Sequence, residues 1–275
     1  MSIDRVKIDY ELTFKTPFHF GTGIRAGLID RTIVRDGDGY LYVPGSTFKG
    51  VLRERCEQLA RLFEELDEDM RDLIASPHDE NVALRGLGQK ITMITRIFGS
   101  QNHPGRLYFE DAHQTIEAKR EYDEEAQNAE KGKRENDNLE DGKGKYLNIQ
   151  TDLYTQVRLD RLTRTAVKGA LYTSEFGIRD LAFQGSITGW LECTPIQLPV
   201  DTSPTYSLLL LLAGLHMVDR LGGNKSTGKG KCSCDVTQVV INGEQVAREE
   251  WFTWLDHLDA LSYYSINTVI KGDEA

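Results

Sequence analysis

Residues 5–14 read RVKIDYELTF, with Val6, Ile8, Tyr10, Leu12 and Phe14 at every second position and polar residues between them. Side chains of a strand point alternately to its two faces, so this stretch is a long strand with one buried and one wet face. Working outward, residues 16–32, TPFHFGTGIRAGLIDRT, form a glycine-rich loop, and residues 33–43, IVRDGDGYLYV, form a hairpin turning on Asp38 and Gly39. A helix follows, with Ser46 as its N-cap and Phe48, Leu52, Cys56, Leu59 and Phe63 as an apolar stripe at three- and four-residue spacing. A second helical piece ends at Phe98 and Gly99, and RLYFEDA from Arg106 reads as a short strand. Leu181, Phe183, Ile187 and Leu191 alternate again and mark a central strand, in which Gly185 and Gly189 point to close approach by another backbone. Pro204 opens an apolar helix running to Leu221, a glycine loop breaks it, a strand covers residues 231–241, and a closing helix carries Trp251, Trp254 and Leu258.

Stripped of insertions, the order is strand, helix, strand, strand, helix, strand. That order predicts an α+β, ferredoxin-like (RRM-like) fold: a four-stranded antiparallel sheet with two helices on one face. Many functions use this fold, so it decides none of them. A chain of 275 residues, 39% hydrophobic, is read as one elaborated domain over residues 1–275. Its elaborations are a charged insertion at 117–145, a projecting hairpin at 156–180 and a C-terminal helical extension at 246–275. The opening residues carry charges where a signal peptide needs an apolar stretch, and the longest apolar run, residues 208–215, is far short of the roughly 20 residues of a spanning helix. The expectation is a soluble, cytoplasmic protein with no membrane partner.

The four cysteines, Cys56, Cys193, Cys232 and Cys234, are too irregularly spaced for a disulfide framework. Cys232 and Cys234 share a strand face but lack the two further ligands zinc needs. The net charge of -10 opposes nucleic-acid binding when taken as an average. Much of the acid, however, lies in residues 64–73 and 117–141, and elsewhere the balance reverses locally, as at Arg220, Lys225, Lys229 and Lys231. Residues 117–145, nearly all charged or small, read as an exposed excursion without chemistry.

Three segments carry chemistry. LGGNKSTGKGK, residues 221–231, follows a helix and precedes a strand; its glycines, Gly222 and Gly223 among them, let successive amides face one concavity, and Lys225 and Lys229 supply charge for a phosphate. A P-loop has the reverse context, strand then helix, so nucleoside triphosphate binding is not expected. In VPGSTFKGVLRERC, residues 43–56, Lys49 and Arg53 sit near a helix start, where the macrodipole disfavours cations unless an anion joins them. QVRLDRLTRTAVKGALYTSE, residues 156–175, sets Arg158, Arg161, Arg164 and Lys168 among leucines, which suits a hairpin that grips a strand of RNA and wedges between its bases. Each segment taken singly also suits an ordinary solvated surface.

Together, in this order and with the TPFHFGTG start, these segments resemble the RAMP superfamily of CRISPR proteins, most nearly the repeated guide-binding backbone subunit of type III effectors, Csm-type or Cmr-type. LGGNKSTGKG is similar to the family's glycine loop, PGSTFKGVLR to its phosphate-contacting helix start and RTAVKGALYTSEF to its thumb hairpin. The resemblance implies a CRISPR guide RNA and a complementary target RNA as partners, with other effector subunits and further RAMP copies stacked along the guide. It also implies target-RNA cleavage by an aspartate in the loop after the first strand. Asp30 in AGLIDRTIVRD occupies the matching position, and Asp36 is the nearby alternative. An ordinary aspartate is about three units too acidic to be the ideal base at neutral pH, so Asp30 is expected to hold or assist a divalent ion, Mg2+ or Mn2+. His19, beside two phenylalanines, is read as packed. The rivals are a scaffold of the same kind with Asp30 idle and a guide-processing RAMP nuclease, for which the chain offers no histidine pair. The charged insertion and the acidic total depart from the family pattern.

Overall fold

In a computed structural model, residues 2–64, 92–100, 103–135, 150–196, 198 and 204–264 are described. The acidic stretch at 64–73 lies, but for residue 64, outside them, as do residues 136–145 of the insertion and 265–275 of the C-terminal extension.

The alternation at residues 5–14 produces β1 (Ser2–Phe14), the centre of the sheet. Val6, Ile8, Tyr10, Leu12 and Phe14 are buried, so from Val6 onward one face of this strand lies in the core. After β2 (Tyr42–Val43) come α1 (Gly45–Glu64) and α2 (Met93–Phe98), then β3 (Leu107–Phe109) and β4 (Ala112–Gln114). The charged segment forms α3 (Ile116–Glu135); β5 (Thr151–Leu159) and β6 (Ala166–Gly177) make a separate two-stranded hairpin, and β7 (Ala182–Cys193) returns to the sheet. The chain closes with α4 (Tyr206–His216), β8 (Cys232–Ile241), β9 (Glu244–Val246) and α5 (Arg248–Leu255).

Across the sheet the order is β2-β4-β7-β1-β8-β9, with β3 also on β7. β1 pairs antiparallel with both β7 and β8. Reduced to β1, α1, β3/β4, β7, α4 and β8, this is the ferredoxin-like arrangement expected from the sequence. Helices α1 and α4 cross closely at Gly214, where an added Cβ would overlap Cys56 Sγ. Any larger residue there would push apart the two helices that cover the sheet.

Several local expectations are corrected. Helix α1 begins at Gly45, not after a Ser46 cap: the amides of Thr47 and Phe48 donate to Pro44 O, and the Gly45 amide donates to Asp111 Oδ1 at 2.7 Å. Helix α4 is shorter than the apolar run, starting after an N-cap at Thr205 and ending at Met217. Gly189 does meet a backbone, since a Cβ there would overlap Arg106 O, but Gly185 instead makes room for the ring of Tyr10 opposite it. The thumb-like hairpin begins at Thr151 rather than 156. The first turns of α3 are docked, with Tyr40 Oη donating to Asp123 and the Lys119 ammonium 4.8 Å from the Tyr40 ring centroid. Among the described residues, no helix is long and apolar enough to cross a membrane.

Candidate RNA-binding and cleavage site

The glycine loop, the 17–22 stretch, the Asp30 loop and the base of the β5–β6 hairpin converge at the far end of β1. Gly230 N donates to Pro17 O and Gly223 N to His19 O. Gly222, at φ +87°, could not carry a side chain, because its Cβ would lie 2.6 Å from His19 O. Far from a loose turn, the loop holds a short 3-10 turn, Lys225–Thr227, flanked by left-handed Asn224 and Gly228. Among the described residues no partner engages the amides of Asn224, Lys225 and Ser226. Consecutive free amides of this kind form an anion-accepting concavity. Lys225 is exposed beside them, while Lys229 is half-buried with its ammonium 4.0 Å from the Tyr154 ring centroid and 5.3 Å from that of Phe176. Lys229 therefore ties the glycine loop to the hairpin by cation–π contact.

The Asp30 loop lies along the hairpin base. The Asp30 amide donates to Thr173 O at 2.9 Å, and the Thr173 amide donates to Asp30 Oδ2 at 2.9 Å. The other carboxylate oxygen, Oδ1, has Arg25 Nε at 3.7 Å, and the Asp30 side chain is partly open to solvent. Asp36, the alternative, is spent on its own turn: its Oδ1 accepts from the amides of Asp38 and Tyr40. His19 is buried and donates from Nδ1 to Glu175 O at 2.7 Å, a packed histidine as the sequence suggests.

Glu175 is the residue sequence reasoning missed. Read as the tail of a basic hairpin, it is a buried carboxylate that accepts from Ile33 N at 3.1 Å, from Thr151 Oγ1 at 2.9 Å and from Arg35 in an ion pair. Its amide also donates to Arg31 O. It thus clamps the strand-like 31–35 segment, and Asp30 with it, to both strands of the hairpin. The one local signal was an acid at an inward position of the hairpin pattern.

The hairpin projects beyond this base. Arg158, Arg161, Arg164 and Lys168 are all exposed, as are Leu159, Leu162 and Leu171. Among the described residues Asp160 makes no ion pair with these arginines; its carboxylate accepts from the amides of Leu162 and Thr163 and shapes the turn. At the start of α1, Lys49 and Arg53 are less available. The anion satisfying the Gly45 amide is the protein's own Asp111. Arg53 donates to Glu57 and to Gly99 O, both at 2.8 Å. The Lys49 ammonium sits 5.6 Å from the Phe109 ring centroid; burial, and then Arg53 beside it, pull it below its ordinary pKa.

A resident metal cage is not built here: among the described residues no group of three or more His, Cys, Asp or Glu could hold an ion. Cys232 and Cys234 are buried in the core, with burial raising the Cys232 thiol to about 12 and Cys234 higher still. Asp30 Oδ1 is a hard oxygen donor of the kind Mg2+ or Mn2+ accepts, and it supplies one ligand at most.

A family model described as the RAMP superfamily matches residues 11–233, and the chain belongs to that superfamily. Among solved structures, a similar chain occurs in a cryo-EM structure of the Type III-B Cmr-beta bound to cognate target RNA, at 14% identity and a TM-score of 0.48, covering 84% of this chain and 96% of that one. No curated protein matches the chain.

Proposed function

We propose that this RAMP protein is a guide-RNA-binding backbone subunit of a type III CRISPR effector complex and that it cuts RNA paired to the guide. The observation carrying this reading is the convergence of the glycine loop, the Asp30 loop and the hairpin base through Glu175 and Lys229. In this reading the free amides at 224–226, with Gly222 and Gly223 shaping the loop and Lys225 beside them, take a guide phosphate. Arg158, Arg161, Arg164 and Lys168 follow the paired strands, and the exposed hairpin leucines wedge the duplex open. Lys49 is a further phosphate contact, and Arg53, held by Glu57 and Gly99, supports the surface from behind. Other effector subunits and further copies of such a protein complete the filament.

For cleavage, the target's own 2′-hydroxyl gives up its proton to water and attacks the adjacent phosphorus, the P–O5′ bond breaks, and the 5′-oxygen takes a proton from water, leaving a 2′,3′-cyclic phosphate and a 5′-hydroxyl; this needs the attacking and leaving oxygens in line. A nucleotide pushed out by the hairpin adopts that alignment beside Asp30. Asp30, pinned through Oδ2 to Thr173, keeps Oδ1 toward the RNA and helps orient the attacking hydroxyl. Asp30 Oδ1 would be the protein ligand of a Mg2+ or Mn2+ ion, which would supply positive charge to the phosphate. A second reading, a scaffold with Asp30 idle, draws on the same hydrogen bond: a carboxylate accepting from the Thr173 amide already has a structural use. Purification of the tagged protein with its partner subunits and a CRISPR array tests the shared part of both readings. Recovery of guide RNA of defined length supports it; protein free of RNA refutes it.

A further inference from the structure

The open face of the sheet, opposite the helices, carries a site about 30 Å along β1 from the glycine loop, given nine residues at roughly 3.3 Å each. A cleft of about 440 Å³ lies there, lined by Arg5, Lys7, Thr188, Val240, Asn242 and Gly243. Its floor is three paired strands, Lys7 standing opposite both Thr188 and Val240. Its rim is the β8–β9 turn, where Asn242 at φ 53° and Gly243 at φ 92° curl the backbone over the end of β1, and the Arg5 amide donates to Asn242 Oδ1. Beside it, Trp190 stands opposite Arg5, and Tyr108 stands opposite Thr188. These two rings meet edge to face at 6.4 Å and remain 45% and 61% exposed.

Two of the nearby acids have cationic partners of their own. Asp4 accepts from Asn242 Nδ2, Asp9 pairs with Lys7, and Glu192 pairs with Arg96. Arg5 is left, among the described residues, with no carboxylate in ion-pair range. An unmatched guanidinium, an exposed indole with a second ring at its edge, and a cleft large enough for one nucleotide make a pattern suited to an unpaired base and its phosphate: the base stacks and the cation takes the charge.

We propose that this cleft is a second binding site for single-stranded RNA, separate from the glycine-loop surface and independent of whether Asp30 cuts. An acidic or apolar protein surface is the competing occupant, and the exposed aromatic pair next to a guanidinium with no ion-pair partner among the described residues favours RNA. The site has a built-in reporter. Of the three tryptophans, Trp251 and Trp254 are 2% exposed, so exposed-indole fluorescence comes from Trp190.

The experiment titrates an octauridylate into the full-length protein in low salt, reading tryptophan emission together with anisotropy of a labelled octamer. The site predicts saturable quenching, loss of acrylamide access to the indole, and at least a several-fold weaker site in Arg5→Ala and Trp190→Ala, with the Arg5→Ala salt slope reduced by about one unit. Lys225→Ala/Lys229→Ala protein should keep the quenching, which separates this site from the glycine-loop reading. Octamer binding without change at Trp190, or no octamer binding, overturns the proposal. So does a blue shift that grows with protein concentration in the absence of RNA, which would assign the face to contact between copies.

Discussion

Glu175→Ala removes the carboxylate that joins the Asp30 loop to both hairpin strands. The buried Ile33 amide loses its acceptor, at about 1–3 kcal/mol for an orphaned donor. Arg35 loses its partner as well; breaking a fully buried ion pair costs about 3–5 kcal/mol, discounted here because the Arg35 side chain is 23% exposed and can rehydrate. Together these give about 3 kcal/mol, or a fall in Tm of roughly 6–12 °C for a domain of this size. Glu175→Gln keeps one acceptor and the shape and should lose about half as much. The assay is thermal and urea unfolding followed by circular dichroism, with Arg35→Ala and the double variant completing a cycle that isolates the pair. The reasoning also predicts hydrogen exchange rising first at residues 29–35 and 150–177. A loss below about 1 kcal/mol in Glu175→Ala, or a double variant equal to the sum of the singles, would refute the clamp.

Replacing Lys225 and Lys229 should weaken guide binding for all sequences alike and lower the salt slope by about one unit for each phosphate that is no longer neutralised; a sequence-selective defect would contradict a phosphate role. Shortening residues 117–145 to a Gly-Ser linker should leave the fold and guide binding nearly unchanged, since α3 is held mainly by the Tyr40 contacts; assembly without cutting would show that the segment shapes the active site. His216, exposed at the end of α4 but lying against Trp251 and Phe252, has its pKa lowered by desolvation and by Arg248 despite Asp235. Its folded pKa lies below the ordinary 6.5, so the unfolded chain takes the proton first and stability should fall as pH drops below about 6.5. His216→Gln should flatten that limb of the profile, and an unchanged profile would reject the assignment.

The fold was legible because its signals are local and periodic. The alternation of Val6 to Phe14 and the stripe from Phe48 to Leu59 each report one buried face, and the order of elements then limits the topology. The glycine loop was legible as a loop, but its seat on His19 and Pro17 was not, since those contacts join residues some 200 positions apart. The same applies to Asp111 capping the Gly45 amide and to Glu175, whose partners come from two distant segments. An acid inside a basic run looks like solvated surface until the fold buries it. The turn at Asn242 and Gly243 carries a recognised hairpin signal, Asn-Gly with both residues at positive φ, so β9 was readable in principle.

The most direct test is cleavage of a guide-complementary RNA by the assembled complex, with magnesium or manganese present, comparing wild type with Asp30→Ala. The account predicts cuts at regular intervals that vanish in the variant while target affinity stays within a few-fold of wild type. Undiminished cutting by Asp30→Ala would contradict it and leave this subunit a scaffold.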